Sequence, residues 1–583
     1  MSSEQGKRAI RVRRVIAESL KSQGVEYVFG IVGYPIIELG MACQRAGLKY
    51  VGCRNEQAAS YAAAAVGYLT GRPGACLVVP GPGVIHALAG MANASANGWP
   101  MICIAGSSEL SQDGLGAFQE SLPPQGGSQI QVQYPAAGIC KYVVKATDGD
   151  RVPFFIEQAV RYAINGRPGA VYVEVAGDTL REPTDPEIYY PPKCADPAMV
   201  YADPASVTKA LKILGAAKSP LLICGKGAAY AGASDGLRQW CETTRMPFIP
   251  SPMGKGVIPD THALCMSSAR SYALKNADVI LLVGARLNWI LHYGRPPRYR
   301  RDVKFIHVEL LPEEVGHSKP AEVALVGHAK AIVSQLNEGL KSNPVHVSAT
   351  SEWMTGLGET SQKSRDLFLE LSTDRSSPMN YYCALGIIDK YIPHDAVIMN
   401  EGSDTMDIGR TVLNNYHPRK RLDAATWGTM GVGMGQALAG ALCNPGGCVA
   451  VFGDSAFGFS GMEIEVAIRL NLPLVVIIIN NNGIGAFNPT EYTAQSGEAL
   501  GDSTSDRLKY PVKSLTPQAH YEGFATALGA KGVYVDTADA LESAVKEAMS
   551  VRPFKFTLIN CMISTTASRG KAAAPPFAAV GKL

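Results

Sequence analysis

The sequence predicts an α/β protein made of three consecutive α/β domains with parallel sheets, followed by a short C-terminal tail. Two observations carry this expectation. Strand-length apolar runs alternate with helical patterns in three blocks, the order that produces parallel sheets. Two polar stretches, residues 182–197 (rich in proline) and 341–351, interrupt the alternation and read as linkers. Composition agrees. Of 583 residues 46% are hydrophobic and 18% charged, so large cores are possible and wholesale disorder is excluded. The 60 glycines and 37 prolines supply the tight turns of short connections.

The first domain is expected over residues 1–185, with strands near 27–31, 48–53, 75–79, 101–105 and 170–175. The string Gly-Arg-Pro-Gly-Ala occurs in it twice, at 71–75 and 166–170, each time between a helical stretch and an apolar run. Each copy reads as a glycine-terminated helix turning into a strand. The central domain, 200–340, has strand runs at 220–224, 279–283 and 305–308, and a helical stretch continues to residue 377. The third domain, 375–563, has runs at 396–400, 448–452, 474–480 and 556–559, with a helix expected over 461–470. Residues 564–583 form an Ala-, Pro- and Lys/Arg-rich tail.

Charge narrows the function classes. Lys and Arg number 54 against 51 Asp and Glu, a net charge of +3 that gives no electrostatic reason for a nucleic-acid partner or a membrane surface. No apolar run approaches the roughly 20 residues that span a bilayer. Residues 1–14 are polar and basic without an apolar centre, unlike a secretory signal. The 13 cysteines are scattered singly and read as buried free thiols in a reducing compartment. The expected location is the cytoplasm, with a peroxisomal alternative resting on the imperfect C-terminal Gly-Lys-Leu.

The strongest chemical signal is Gly453-Asp454-Ser455, then a helical stretch, a strand, and Asn480-Asn481-Asn482-Gly483. In a βαβ unit these residues stand side by side at the carboxyl ends of neighbouring strands, where open parallel sheets bind ligands. A carboxylate, an amide oxygen and a backbone carbonyl form a hard donor set suited to Mg²⁺ that also holds diphosphate oxygens. Two weaker signals accompany it. Arg54-Asn55-Glu56-Gln57 follows a strand run, and taken alone it reads as a helix start, with Asn55 as N-cap. Gly428-Thr429-Met430-Gly431-Val432-Gly433 is a glycine-rich stretch opening a helix, and taken alone it reads as a flexible turn.

Together these strings resemble the thiamine diphosphate-dependent enzymes. Gly30-Ile-Val-Gly33, the run from Gly81 to Met91, Gly116-Ala-Phe-Gln-Glu120, Asn400-Glu-Gly402, Thr405-Met-Asp-Ile-Gly-Arg410 and the run from Gly453 to Met462 narrow the resemblance to 2-hydroxyacyl-CoA lyases and oxalyl-CoA decarboxylases. It extends over nearly the whole chain, to about Met562. The resemblance implies thiamine diphosphate and Mg²⁺ as cofactors. Asp454, Asn481 and the Gly483 carbonyl would be metal ligands, with Ser455 beside them. Glu56 would bond to the aminopyrimidine ring and assist its imino tautomer. Met430 would wedge between the cofactor's rings, and the Gly428 carbonyl would receive the pyrimidine amino group. It also implies a CoA-thioester substrate, with Arg270 and Arg410 matching CoA-contacting arginines and Arg286 a further candidate. Assembly would be a homodimer or homotetramer with active sites between subunits, and the tail would fold over the site.

Within this family the lyases release an aldehyde or ketone with formyl-CoA, whereas the decarboxylases release CO₂. Lyase cleavage requires the 2-hydroxyl to lose a proton, so a base near that oxygen separates the two. Gln119 occupies a position where the decarboxylases tend to carry Tyr, which favours the lyase. The chain departs from its relatives at Tyr34, where they usually have an aliphatic residue, and at Gly485, where they usually have Tyr. Glu491, six residues further along, is a candidate base for the 2-hydroxyl or else a solvated loop carboxylate. More room at Gly485 would admit a branched substrate such as 2-hydroxyisobutyryl-CoA, giving acetone. A non-catalytic nucleotide-binding protein on the same fold is the reading from a different class.

Overall fold

The computed structural model describes residues 10–120, 130–185, 187–485 and 512–567. Its strands form three sheets, parallel throughout. The first contains β1 (Tyr27–Gly30), β2 (Lys49–Gly52), β3 (Gly74–Val78), β4 (Met101–Ser107), β5 (Val143–Ala146) and β6 (Ala170–Ala176) in the order β2-β1-β3-β4-β6-β5. The second contains β7 (Pro220–Cys224), β8 (Phe248–Pro250), β9 (Val279–Val283), β10 (Lys304–Glu309) and β11 (Val323–Val326) in the order β11-β10-β9-β7-β8. The third contains β12 (Val397–Glu401), β13 (Arg421–Asp423), β14 (Cys448–Gly453), β15 (Leu474–Asn480), β16 (Lys531–Val535) and β17 (Thr557–Met562) in the order β13-β12-β14-β15-β17-β16. This is the expected α/β class, one sheet to each of the three segments.

Central strands of such sheets are covered on both faces and read as unbroken apolar runs. Strands β4, β6, β7, β9 and β15 are buried at every residue. Each sheet has its own core, centred on residues such as Ile104 and Val173, Leu222 and Leu281, and Val451 and Ile477. Only the first Gly-Arg-Pro-Gly-Ala string ends its helix on glycine as expected; the helix before the second, Val152–Ile164, is closed by Asn165 in extended backbone, and Gly166 follows one residue later. Gly71 closes the helix Glu56–Thr70 in the left-handed region (φ 83°) with its N–H on Gly67 O, and β3 begins three residues later.

Two compact units emerge from the chain. One comprises residues up to Ala198 together with Met434–Cys443 and Ser460–Leu470. Within it the Tyr27 hydroxyl donates to Leu442 O at 2.9 Å, and the Arg469 guanidinium donates to Gly52 O at 2.6 Å. The other comprises Met199–Gly433, Asn444–Phe459 and the chain from Asn471 onward, and holds the second and third sheets.

The helix expected over 461–470 is shorter and broken. A five-residue helix, Asp454–Gly458, leaves β14 directly, and a 3₁₀ turn, Gly461–Glu463, precedes the helix Ile464–Arg469. All thirteen cysteines are free, and most are buried. Among the described residues no helix is long and apolar enough to cross a membrane.

Candidate active site

Strands β14 and β15 pair in register from Cys448–Leu474 to Gly453–Ile479, so both deliver their last residues to the same sheet edge. Asp454 is the first residue beyond β14 and is 1% exposed; Asn481 is the first beyond β15 and is 3% exposed. One Asp454 oxygen accepts the Ser455 N–H at 2.8 Å and the other accepts the Gly483 N–H at 2.9 Å. The Asn481 side-chain amide donates to Gly485 O at 3.0 Å, folding the turn over. The turn is pinned from below by Asn480, whose side-chain oxygen accepts the Asn482 N–H at 3.1 Å. Four of the expected site residues, Asp454, Ser455, Asn481 and Gly483, thus come together.

Burial pushes the Asp454 carboxyl up to about 6, even though the amides of Ser455 and Gly483 pull it down. Among the described residues no group of three or more His, Cys, Asp or Glu side chains could hold a metal ion. The oxygens gathered at this edge are those of one carboxylate, one side-chain amide and the turn backbone. A hard divalent cation fits this set, because it would relieve the desolvation that raises Asp454.

The glycine-rich stretch lies in the same unit. Gly428 (φ 70°) and Gly431 (φ 86°) adopt left-handed backbone on either side of half-buried Met430. The Trp289 indole donates to Thr426 O at 2.7 Å, and Asp423 accepts the Ala425 N–H at 2.7 Å. On the other side, the buried carboxylate of Glu401 accepts three successive amides, those of Gly431, Val432 and Gly433.

Glu56 opens the helix Glu56–Thr70 in the other unit. Asn55 caps that helix, accepting the Gln57 N–H at 2.7 Å, as expected. The Glu56 carboxylate lies 3.0 Å from Nδ1 of His86. Glu463 is 1% exposed and accepts the Arg54 N–H at 3.0 and 3.2 Å. Burial pushes its carboxyl up to about 7. In the same unit, Gln119 has a left-handed backbone (φ 57°), and its side-chain oxygen is buried without a hydrogen-bond partner among the described residues. The Tyr34 hydroxyl donates to Glu109 at 3.0 Å, and burial with this bond raises its pKa.

The arginines differ in what already holds them. Arg410 donates through Nε to Asp423 at 2.9 Å and through Nη1 to Asp407 at 3.0 Å, while its Nη2 is buried with no partner among the described residues. Arg270 donates to Ile290 O at 2.7 Å and faces His292, which burial and the Arg270 charge push down to about 4. Arg286 pairs with Glu314 at 3.2 Å. Glu491 lies outside the described residues.

Glu401, Glu463 and His86 are the residues that sequence reasoning missed. Glu401 did carry a signal, as part of the Asn400-Glu-Gly402 string that closes the apolar run of β12. His86 lies within the Gly81–Met91 run but was given no role there, and Glu463 carried no signal, since each acquires its partner only through folding.

Comparison with known proteins decides what this edge belongs to. Residues 10–129, 207–336 and 402–561 match, in that order, the N-terminal TPP binding domain, the central domain and the C-terminal TPP binding domain of the thiamine pyrophosphate enzymes. The chain is 45% identical over 577 residues to human 2-hydroxyacyl-CoA lyase 1, covering 97% of each protein. It is 40% identical to the 2-hydroxyacyl-CoA lyase of Oryza sativa, covering 94% of each, and 36% identical to the oxalyl-CoA decarboxylase of Escherichia coli, covering 95% of each. The chain belongs to the thiamine pyrophosphate enzymes. Within that family it falls among the 2-hydroxyacyl-CoA lyases and oxalyl-CoA decarboxylases. The matched C-terminal TPP binding domain contains Met430, Asp454 and Asn481, and the matched N-terminal one contains Glu56 and Gln119.

Proposed function

We propose that this protein is a thiamine diphosphate- and Mg²⁺-dependent lyase that cleaves the C1–C2 bond of a 2-hydroxyacyl-CoA to formyl-CoA and an aldehyde or ketone. The observation that carries the reading is the 45% identity to a 2-hydroxyacyl-CoA lyase over 97% of both chains, against 36% to an oxalyl-CoA decarboxylase. The buried Asp454–Asn481 edge supports the cofactor part of it.

Asp454, Asn481 and the Gly483 carbonyl would hold Mg²⁺ beside the diphosphate. Glu56 would hold a proton at the aminopyrimidine ring, and Met430 and the Gly428 carbonyl would contact the bound cofactor. When bound, thiamine diphosphate supplies a carbon nucleophile and an electron sink for the bond pair. The residues of the chain then orient the thioester and manage two protons. The 2-hydroxyl loses one as its carbon becomes the carbonyl of the released aldehyde or ketone. The former C1 keeps the bond pair and gains the other as formyl-CoA. Glu491 is the base proposed for the first transfer, and Gln119 and Tyr34 line the acyl pocket. Arg270 and Arg410 bind CoA phosphates, with Arg286 in support. The active sites lie between subunits of a homodimer or homotetramer.

Steady-state formyl-CoA production, followed by mass spectrometry across straight and branched 2-hydroxyacyl-CoA esters and oxalyl-CoA, tests the reading. Turnover of a hydroxy ester with release of the matching aldehyde or ketone is the expected result. Much faster turnover of oxalyl-CoA with release of CO₂ makes the protein a decarboxylase. No turnover of any ester by cofactor-loaded protein leaves the non-catalytic alternative.

A further inference from the structure

We infer that Glu401 is a positioning residue, whose carboxylate fixes the Gly431–Val432–Gly433 turn and thereby sets Met430 against the cofactor. The inference rests on the thiamine diphosphate reading above and concerns a motif, Asn400-Glu-Gly402, to which that reading gives no task.

Glu401 ends β12 and is completely buried. One carboxylate oxygen accepts the amides of Gly431 at 2.5 Å and Val432 at 3.2 Å, and the other accepts that of Gly433 at 2.9 Å. Gly433 is the first residue of the helix Gly433–Cys443 and Val432 its N-cap, positions whose N–H groups have no partner inside a helix, and Gly431 stands just before them. The fit depends on glycine, because a Cβ on Gly433 would come within 2.3 Å of the Glu401 carboxylate.

Met430 directly precedes this clamp. On its other side the chain is held at Ala425 by Asp423 and at Thr426 by Trp289. The six-residue stretch from Ala425 to Met430 is therefore tethered at both ends, and Glu401 supplies the tether next to the wedge. No salt bridge to Glu401 is found among the described residues, so the three amides are what compensates its burial. Burial pushes its carboxyl up to about 7 against their pull. A glutamine in its place would turn an N–H₂ donor toward N–H donors, and the turn would loosen.

The experiment uses the full-length Glu401→Gln and Glu401→Asp proteins beside the parent. Calorimetry with thiamine diphosphate and Mg²⁺ reads cofactor affinity, and NMR reads exchange of the bound thiazolium C2 proton. The diphosphate anchor at Asp454 and Asn481 is untouched, so Glu401→Gln should bind within about threefold of the parent. Misplacing the wedge should slow C2-proton exchange by about 10- to 100-fold, with partial recovery in Glu401→Asp, which keeps both oxygens. Amide hydrogen exchange of the apoproteins, followed by mass spectrometry, should show residues 431–433 deprotected in Glu401→Gln while the rest of Gly433–Cys443 is unchanged. C2 exchange within about twofold of the parent, with normal binding, overturns the positioning role. A parent that binds no cofactor overturns the functional reading instead, and the inference with it. If Glu401→Gln does not fold, the parent decides: protection of residues 431–433 like that of the helix supports the clamp, and exchange at the unprotected rate overturns it.

Discussion

The Glu56 carboxylate lies 3.0 Å from the Nδ1 of His86, joining the first turn of the helix Glu56–Thr70 to the helix Pro82–Asn97. Glutamine at position 56 preserves a hydrogen-bonding partner for His86 and removes the acid–base group. Glu56→Gln should therefore keep its thermal midpoint and its cofactor affinity. Its C2-proton exchange should slow by about 10²–10⁴-fold, the usual size of a general acid–base contribution. NMR exchange on the bound cofactor checks this, and an unchanged rate would remove Glu56 from the mechanism.

Asp454→Ala removes the carboxylate at the end of β14 and leaves the Gly483 amide without the acceptor it has now. Thiamine diphosphate binding in the presence of Mg²⁺ should fall below detection in calorimetry. Normal affinity in a folded variant would move the diphosphate site elsewhere.

Glu401 and Glu463 are both pushed up to about 7 by burial. In the unfolded chain a glutamate titrates near its ordinary value of about 4.3. The folded state therefore binds more protons than the unfolded state between these values. The stability from the protonated carboxyls is fully present below about pH 4.3 and is lost as pH rises through about 7. In Glu463→Gln one such group is gone. Between pH 5 and 7.5, the stability of the apoprotein should decline less steeply in the variant, by up to about one proton or 1.4 kcal/mol per pH unit. Thermal midpoints across that range, parent against variant, read the difference. Parallel curves would mean that Glu463 titrates as an ordinary glutamate.

Glu491 is tested by Glu491→Gln, which should lower steady-state formyl-CoA production by about 10²–10⁴-fold while leaving CoA-ester affinity in place. A loss of less than about threefold would make it a solvated loop residue. Branched esters should be accepted beside straight ones, because Gly485 carries no side chain.

Sedimentation should show a dimer or a tetramer and no active monomer, since Glu56 and Asp454 are proposed to meet across a subunit boundary. Full activity in a monomeric fraction would overturn that arrangement.

The apolar runs of the central strands, the glycine-ended helix Glu56–Thr70 and the Asp454–Asn481 spacing were legible in the sequence because each is a local pattern. A strand buried on both faces needs an unbroken apolar run, and a carboxylate and an amide at neighbouring strand ends need a fixed chain length between them. Five strands escaped notice: β5, β8, β11, β13 and β16, all at sheet edges. Strands β5 and β16 are partly exposed and each carries a lysine among its apolar residues, β11 is an apolar run of only four residues, and β8 and β13 are three residues long, too short to show a period. Only the tertiary structure decided the partners of Glu401, Glu463 and His86. Glu401 meets amides 30 to 32 residues away and Glu463 meets one 409 residues away. No local pattern encodes such separations, because the partners are backbone amides, which every residue but proline carries, and only packing selects which of them a buried carboxylate must satisfy.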